Sequence, residues 1–149
     1  RVKNISKNLQ MFNQVYKETN VIYHDYAAKN GISDTAFWIM YSVYYYGEGI
    51  TQKNICEEWF YSAQTVNSSL KTMEKNGLII LEPSKDNKKE KQIHFTKEGQ
   101  LLAEKIIKPV IEAEKQSFEQ LDNREIEAML EITYKHMRKL ESLIESIKN

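Results

Sequence analysis

The spacing of apolar residues changes period inside one short stretch, and that change limits the folds open to this chain. From Thr51 to Gly77 apolar side chains recur at helical spacing: Ile55 and Cys56 in one segment, then Val66, Leu70 and Met73 in the next. Thr51 and Ser62 stand where a helix N-cap accepts a backbone hydrogen bond, and Asn76-Gly77 stands where a helix stops. Beyond Gly77 the period drops to that of a strand. Leu78-Ile79-Ile80-Leu81 is an apolar run ended by Pro83, Ser84 to Glu90 is a polar, Lys-rich loop, and Lys91-Gln92-Ile93-His94-Phe95 alternates polar and apolar like a half-buried strand. Between Ile50 and Thr96 the order is therefore helix, turn, helix, strand, loop, strand.

The flanks are helical. Residues from about Asn4 to Lys29 carry Ile5, Leu9, Phe12, Tyr16, Tyr23 and Tyr26 on one face, and Asn30-Gly31 stops that helix. Ser33 or Asp34 caps a second helix running through Phe37, Met40, Tyr41 and Tyr44 to Gly47-Glu48-Gly49. Thr96 caps a fifth helix with Leu101, Leu102, Ile106, Ile107 and Val110, kinked at Pro109. Asp122 with Glu125 starts the last helix as a capping box, and its stripe is Ile126, Met129, Leu130, Thr133, Met137, Leu140, Ile144 and Ile147. The expected fold is mainly α with a small β-hairpin wing: a winged helix-turn-helix over residues 32–99, within a single domain spanning 1–149. The long N- and C-terminal helices, 4–30 and 100–148, are expected to be dimerisation helices. Their apolar stripes lie outside the winged unit and need a partner surface, so a homodimer is expected.

The chain has 149 residues, with 21 Lys and Arg against 21 Asp and Glu, so its formal net charge is zero. Binding to nucleic acid then requires a local basic patch. The fourth helix packs Val66, Leu70 and Met73 inward and presents Gln64, Thr65, Asn67, Ser68 and Lys71 on its other face. Gln and Asn make bidentate bonds to adenine edges, Ser and Thr bond bases or phosphates, and a helix N-terminus favours phosphate. The loop after it offers Lys85, Lys88, Lys89 and Lys91, diluted by Asp86 and Glu90. Double-stranded DNA is the expected partner. The alternative is a winged-helix protein-interaction module without DNA binding, but short polar residues at Gln64, Thr65 and Asn67 favour DNA, because a protein-binding face carries apolar or aromatic anchors.

Other chemistries find little support. There is no Gly-rich phosphate loop, nucleophile elbow or pair of catalytic carboxylates, so no enzyme, catalytic residue or cofactor is expected. His24, His94 and His136 have no ligand-like spacing, so no metal is expected, and the lone Cys56 reads as a packed thiol. Lys3, Lys7, Lys17, Glu18 and Asp25 interrupt any signal-peptide core, and no apolar run approaches the ~20 residues of a membrane span, which leads to the expectation of a cytoplasmic protein.

Three segments together resemble the MarR family of winged helix-turn-helix transcriptional regulators. Gly31-Ile32-Ser33-Asp34-Thr35-Ala36-Phe37 is similar to that family's entry to the second helix. Gln64 through Ile79 is similar to its recognition helix running into the wing, and Asp86-Asn87-Lys88 with Ile93 through Gly99 to its wing tip and following helix start. The resemblance implies a homodimer joined by the first, fifth and sixth helices. It also implies two recognition helices on a pseudo-palindromic operator, and usually a repressor relieved by a small molecule. Carried over by position, Ser62, Gln64, Thr65, Asn67 and Ser68 face the groove and Lys88 is the wing residue, where the family usually has Arg. Trp59-Phe60-Tyr61 stands where the family often has a small residue. The resemblance also implies an effector pocket between the first, second and fifth helices. Tyr23, Tyr26, Phe37, Trp38, Tyr41 and Tyr45 are its candidate lining, suited to a small lipophilic or aromatic effector.

Overall fold

Local capping chemistry sets the helix starts. A computed structural model describes residues 2–147, with side chains from Ile5 onward. The expected helical stretch to residue 148 therefore ends at a residue outside those described. The elements are α1 (Val2–Lys29), α2 (Asp34–Tyr46), α3 (Gln52–Trp59), α4 (Ala63–Lys75), β1 (Ile79–Pro83), β2 (Lys91–Phe95), α5 (Lys97–Ile106), α6 (Lys108–Glu119) and α7 (Asn123–Glu145). Ser33, Thr51, Ser62, Thr96 and Asp122 each accept a backbone N–H from three residues ahead, and Thr51–Asn54 and Asp122–Glu125 are reciprocal capping boxes. Both α1 and α4 end in the same way, with a glycine at positive φ (Gly31 and Gly77). The next N–H (Ile32 or Leu78) returns to the carbonyl five residues back (Ala27 or Met73), which satisfies the open end of the helix.

Two boundaries differ from the sequence reading. Leu78 is not the first strand residue, because its N–H closes the end of α4, and β1 instead runs from Ile79 to Pro83. Pro83 ends that strand opposite Lys91, where a missing N–H is tolerated. The kinked fifth helix is two helices: α5 stops at Ile106, and Pro109 lies in the first turn of α6, where its N–H is not needed. Near this break the chain divides into two compact units, 1–108 and 109–149.

The first unit buries one core. α2 contributes Phe37, Ile39, Met40 and Val43, α3 Ile55, α4 Val66, Leu70 and Met73, the hairpin Ile79, Ile93 and Phe95, and α5 Ala103 and Ile106. β1 and β2 pair antiparallel from Ile79↔Phe95 to Pro83↔Lys91. The other edge of β2 is covered by the segment before α3. Gly49 N–H donates to the Ile93 carbonyl, Ile93 N–H donates to the Ile50 carbonyl, and Thr51 bridges Gln92. The hairpin is thus tied to the start of α3 as well as to its own partner strand. In the second unit, α7 leaves Met129, Leu130, Met137, Leu140 and Ile144 exposed.

The end of α4 and the start of α5 meet at one point. Thr96 N–H donates to the Leu78 carbonyl at 3.1 Å, and the Thr96 hydroxyl donates to the Gly77 carbonyl while accepting the Gly99 N–H. Gly99 is buried there, and a Cβ on it would stand 1.8 Å from the Leu78 carbonyl oxygen. A glycine is required because backbone occupies the space of a side chain. Gly99→Ala is expected to destabilise the fold by about 2–3 kcal/mol, as overpacking against rigid backbone does, with a lower midpoint in urea unfolding and an unchanged slope.

An imidazole–carboxylate pair links α1 to α2. His24 Nδ1 lies 3.0 Å from each carboxylate oxygen of Asp34. The hydrogen bond to Asp34, then its charge, raises the imidazole above its ordinary value, while desolvation opposes this weakly. Because the folded value is the higher one, the contribution of this link is fully present below the unfolded imidazole value. It is lost as pH rises through the folded one. A proton NMR titration is expected to show His24 titrating above about 6.5, and Asp34→Asn is expected to bring it down toward that value. An unchanged His24 midpoint in Asp34→Asn would contradict the pairing.

Candidate nucleic-acid interface

Burial on α4 follows the helical period. Val66, Leu70 and Met73 are buried, Gln64, Thr65, Ser68 and Lys71 are exposed, and Asn67 is half-buried on the flank. Ser62 differs from the others in role. Its Oγ accepts the Thr65 N–H at 3.1 Å and shares a hydrogen bond with the Thr65 Oγ1 at 2.8 Å. Both hydroxyls are therefore engaged in holding the first turn of α4. Gln64, Ser68 and Lys71, at four- and three-residue steps, form the outward row.

The loop between β1 and β2 closes through Ser84 N–H to the Glu90 carbonyl and Glu90 N–H to the Asn87 carbonyl. The Asn87 side chain accepts the Lys89 N–H at 3.1 Å, a local turn that places Lys88 and Lys89 at the tip. Lys85 and Lys88 are both exposed. A cleft between α3, α4 and the hairpin is lined by Gln52, Lys53, Cys56, Ala63, Asn67, Lys89, Glu90 and Lys91. It brings Asn67 together with Lys53, Lys89 and Lys91, not with Lys85 or Lys88. Gln52 and Lys53 escaped the sequence reading because only the tertiary fold brings α3 beside the hairpin. Burial raises the Cys56 thiol above its ordinary value, which keeps it a poor nucleophile.

The six aromatic residues named as an effector lining lie in one network within the first unit. Phe37 is fully buried and meets Trp38 edge-on at 4.9 Å, Tyr26 at 6.1 Å and Tyr23 at 6.4 Å. Tyr41 contacts Trp38 at 5.3 Å and stacks on the exposed Tyr45 at 5.9 Å. The Tyr26 hydroxyl donates to the Ile106 carbonyl and so ties α1 to α5. A seventh ring, missed in the sequence, joins them: Trp59 packs 4.4 Å from Trp38 and 6.0 Å from Tyr41. Its indole N–H donates to the buried Ser42 Oγ at 2.6 Å. The signal for Trp59 was its place in the turn, which sequence spacing alone could not connect to α2.

That turn carries an unusual residue. Phe60 has φ 55° and ψ 31°, the left-handed region, and is 94% exposed. It is the one non-glycine residue at positive φ among those described. The conformation costs a side-chain-bearing residue about 1–2 kcal/mol relative to the right-handed region.

The MarR family model matches residues 30–90, which span α2 through the hairpin loop. No curated protein sequence matches the chain. Among solved structures, a MarR family regulator from Neisseria meningitidis, NMB1585, superposes with TM-score 0.76 at 18% identity, over 95% of this chain and 99% of that one. S. aureus MepR in a DNA-binding conformation gives TM-score 0.74 at 22% identity, over 89% of this chain and 98% of that one. A MepR–DNA complex gives TM-score 0.67 at 22% identity, over 88% and 96%. The chain is therefore similar to the MarR family model over residues 30–90, and its fold is that of these solved regulators over 88% to 95% of its length.

Proposed function

We propose that this chain is a sequence-specific, DNA-binding transcriptional regulator that acts as a homodimer, in the manner of a ligand-responsive repressor on a pseudo-palindromic operator. One observation carries the reading. Asn67 of α4 lines one cleft with Lys89 and Lys91 of the hairpin and Lys53 of α3, while the outward row Gln64, Ser68 and Lys71 is exposed on the same helix. The region 32–99 is the DNA-binding part. The N-terminal end of α4 enters the major groove, with its first turn held rigid by the Ser62–Thr65 pair. Gln64 and Asn67 read adenine edges, Ser68 and Lys71 contact base or phosphate, and Lys85 and Lys88 meet the backbone or minor groove beside it. The basic side chains are local, which reconciles DNA binding with a net charge of zero. No enzymatic chemistry is assigned.

Dimer formation, expected through the stretches 4–30 and 100–148, is supported by α1 and α7. On α1, Ile5, Leu9 and Tyr16 are each more than half exposed, and α7 adds its own exposed stripe. A second copy of the chain covers such stripes at the least cost. No helix among the described residues is long and apolar enough to cross a membrane. An effector, flat and lipophilic, is proposed at Tyr23, Tyr26, Phe37, Trp38, Tyr41 and Tyr45. Support comes from the continuity of these rings with Trp59 in the helix-turn-helix turn. A ligand there acts only by binding the DNA-competent and incompetent arrangements with different affinity. A second reading, a protein-interaction module, is favoured by one observation, the exposed aromatic ring of Phe60.

The two kinds of contact are expected to fail differently. On a duplex that the wild type binds, Asn67→Ala should cost about 1–3 kcal/mol and relax preference at one base pair. Lys88→Ala should weaken all duplexes alike and make binding less dependent on salt, with a slope smaller by about 1. Fluorescence anisotropy across a salt series measures both, and unchanged binding in both variants would contradict the assignment. Sedimentation velocity at micromolar concentration is expected to show a dimer, and Met137→Glu, which puts a charge in the α7 stripe, is expected to shift it to monomer. A folded wild-type monomer under those conditions would contradict the homodimer.

A further inference from the structure

Phe60 combines three properties that rarely coincide. Its backbone is left-handed, where glycine or asparagine is the less costly choice. Its ring is almost wholly in solvent. Yet the segment around it is held on both sides. Before it, Trp59 is fixed by the Ser42 hydrogen bond and by Trp38. After it, Tyr61 is half-buried: burial raises its phenol above the ordinary value, and a hydrogen bond with Thr35 partly offsets this. Ser62 then caps α4. A single exposed apolar side chain means little by itself. A ring held outward by a costly backbone conformation between two anchored neighbours is different, because stability alone would favour removing it.

We propose that Phe60 is a DNA-contacting residue whose ring packs on a deoxyribose of the strand that the N-terminus of α4 meets. The inference rests on the DNA-binding reading above. One residue separates Phe60 from the cap Ser62, so its Cα lies within about 7.6 Å of the cap by chain geometry. When the free N–H groups of the first turn face a phosphate, the ring is carried to the neighbouring sugars, which are the apolar part of the backbone. On its α4 side the ring is followed by the exposed, small or polar Ser62, Ala63, Gln64 and Thr65, so the surface toward the helix start offers none of the further apolar anchors that a protein partner needs, and the exposed Tyr45 and Tyr46 lie on the α2 side instead. A sugar contact carries no base information and neutralises no phosphate. Phe60 should therefore add affinity on every sequence without changing the salt slope, unlike either Asn67 or Lys88.

Phe60→Gly and Phe60→Tyr test this on the full-length chain, with thermal unfolding and anisotropy on several duplexes. Phe60→Gly removes the ring and suits the left-handed backbone. It is expected to keep or raise the unfolding midpoint and to weaken binding to every duplex by ~10-fold, the low end of the scale for a ring stacked on a base, at an unchanged salt slope. Phe60→Tyr keeps the ring and is expected to bind within about twofold of wild type. Unchanged binding by Phe60→Gly overturns the inference and leaves the ring for a protein partner. Weaker binding accompanied by a lower midpoint overturns it too, since the ring would then support the fold. A wild type that binds no duplex removes the DNA-binding reading itself, a result distinct from either failure of the variants.

Discussion

The contact between Gly77-Leu78 and Thr96-Gly99 is the constraint on which the winged unit depends. The Leu78 carbonyl receives the Thr96 N–H, and the Gly77 carbonyl receives its hydroxyl, so the end of α4 and the start of α5 are one hydrogen-bonded object. Everything between them is a closed loop of chain. Its register is then set from the base: Ile79 must face Phe95, and each later pair follows out to Pro83 and Lys91. The tip turn at Asn87 is consequently delivered at a fixed distance along the hairpin from α4. A side chain at position 99 would push on the Leu78 carbonyl and move this whole assembly.

A second network runs in the opposite direction, from α2 into the helix-turn-helix turn. Trp38 touches Trp59, and Trp59 is bonded to Ser42 beneath it, so the rings of α1 and α2 are mechanically continuous with the segment that caps α4. The aromatic cluster thereby has a physical route to the surface proposed to meet DNA, in packed rings and one short hydrogen bond. Coupling through such a route is a free-energy difference between two arrangements and is reciprocal between ligand and DNA.

Local chemistry was legible in the sequence, and tertiary placement was not. Ser33, Thr51, Ser62, Thr96 and Asp122 cap as expected, because a cap is decided within three or four residues. β2 was legible for the same reason, its alternation being a local signature. The apolar neighbours of Leu78 predict strand there, although its N–H belongs to the end of α4. Pro109 predicts a kink in one helix, although it lies in the first turn of a new one. On the candidate interface the residue types on α4 were legible from the period alone. The companions of Asn67 were not: the lysines beside it are Lys53, Lys89 and Lys91, which depends on a local turn at Asn87 and on the packing of α3 against the hairpin. The membership of Trp59 in the aromatic network likewise depends on how α2 and α3 pack, which no spacing along the chain records.

In the function proposed above, two copies of the α4 surface read one duplex together. Selection of bound duplexes from a random-sequence library, carried through several rounds with the full chain, tests it most directly. The account predicts an inverted-repeat consensus whose half-site centres lie about one helical turn, roughly 34 Å, apart. Recovery of sequences with no common element, or no recovery above a protein-free control, would contradict it.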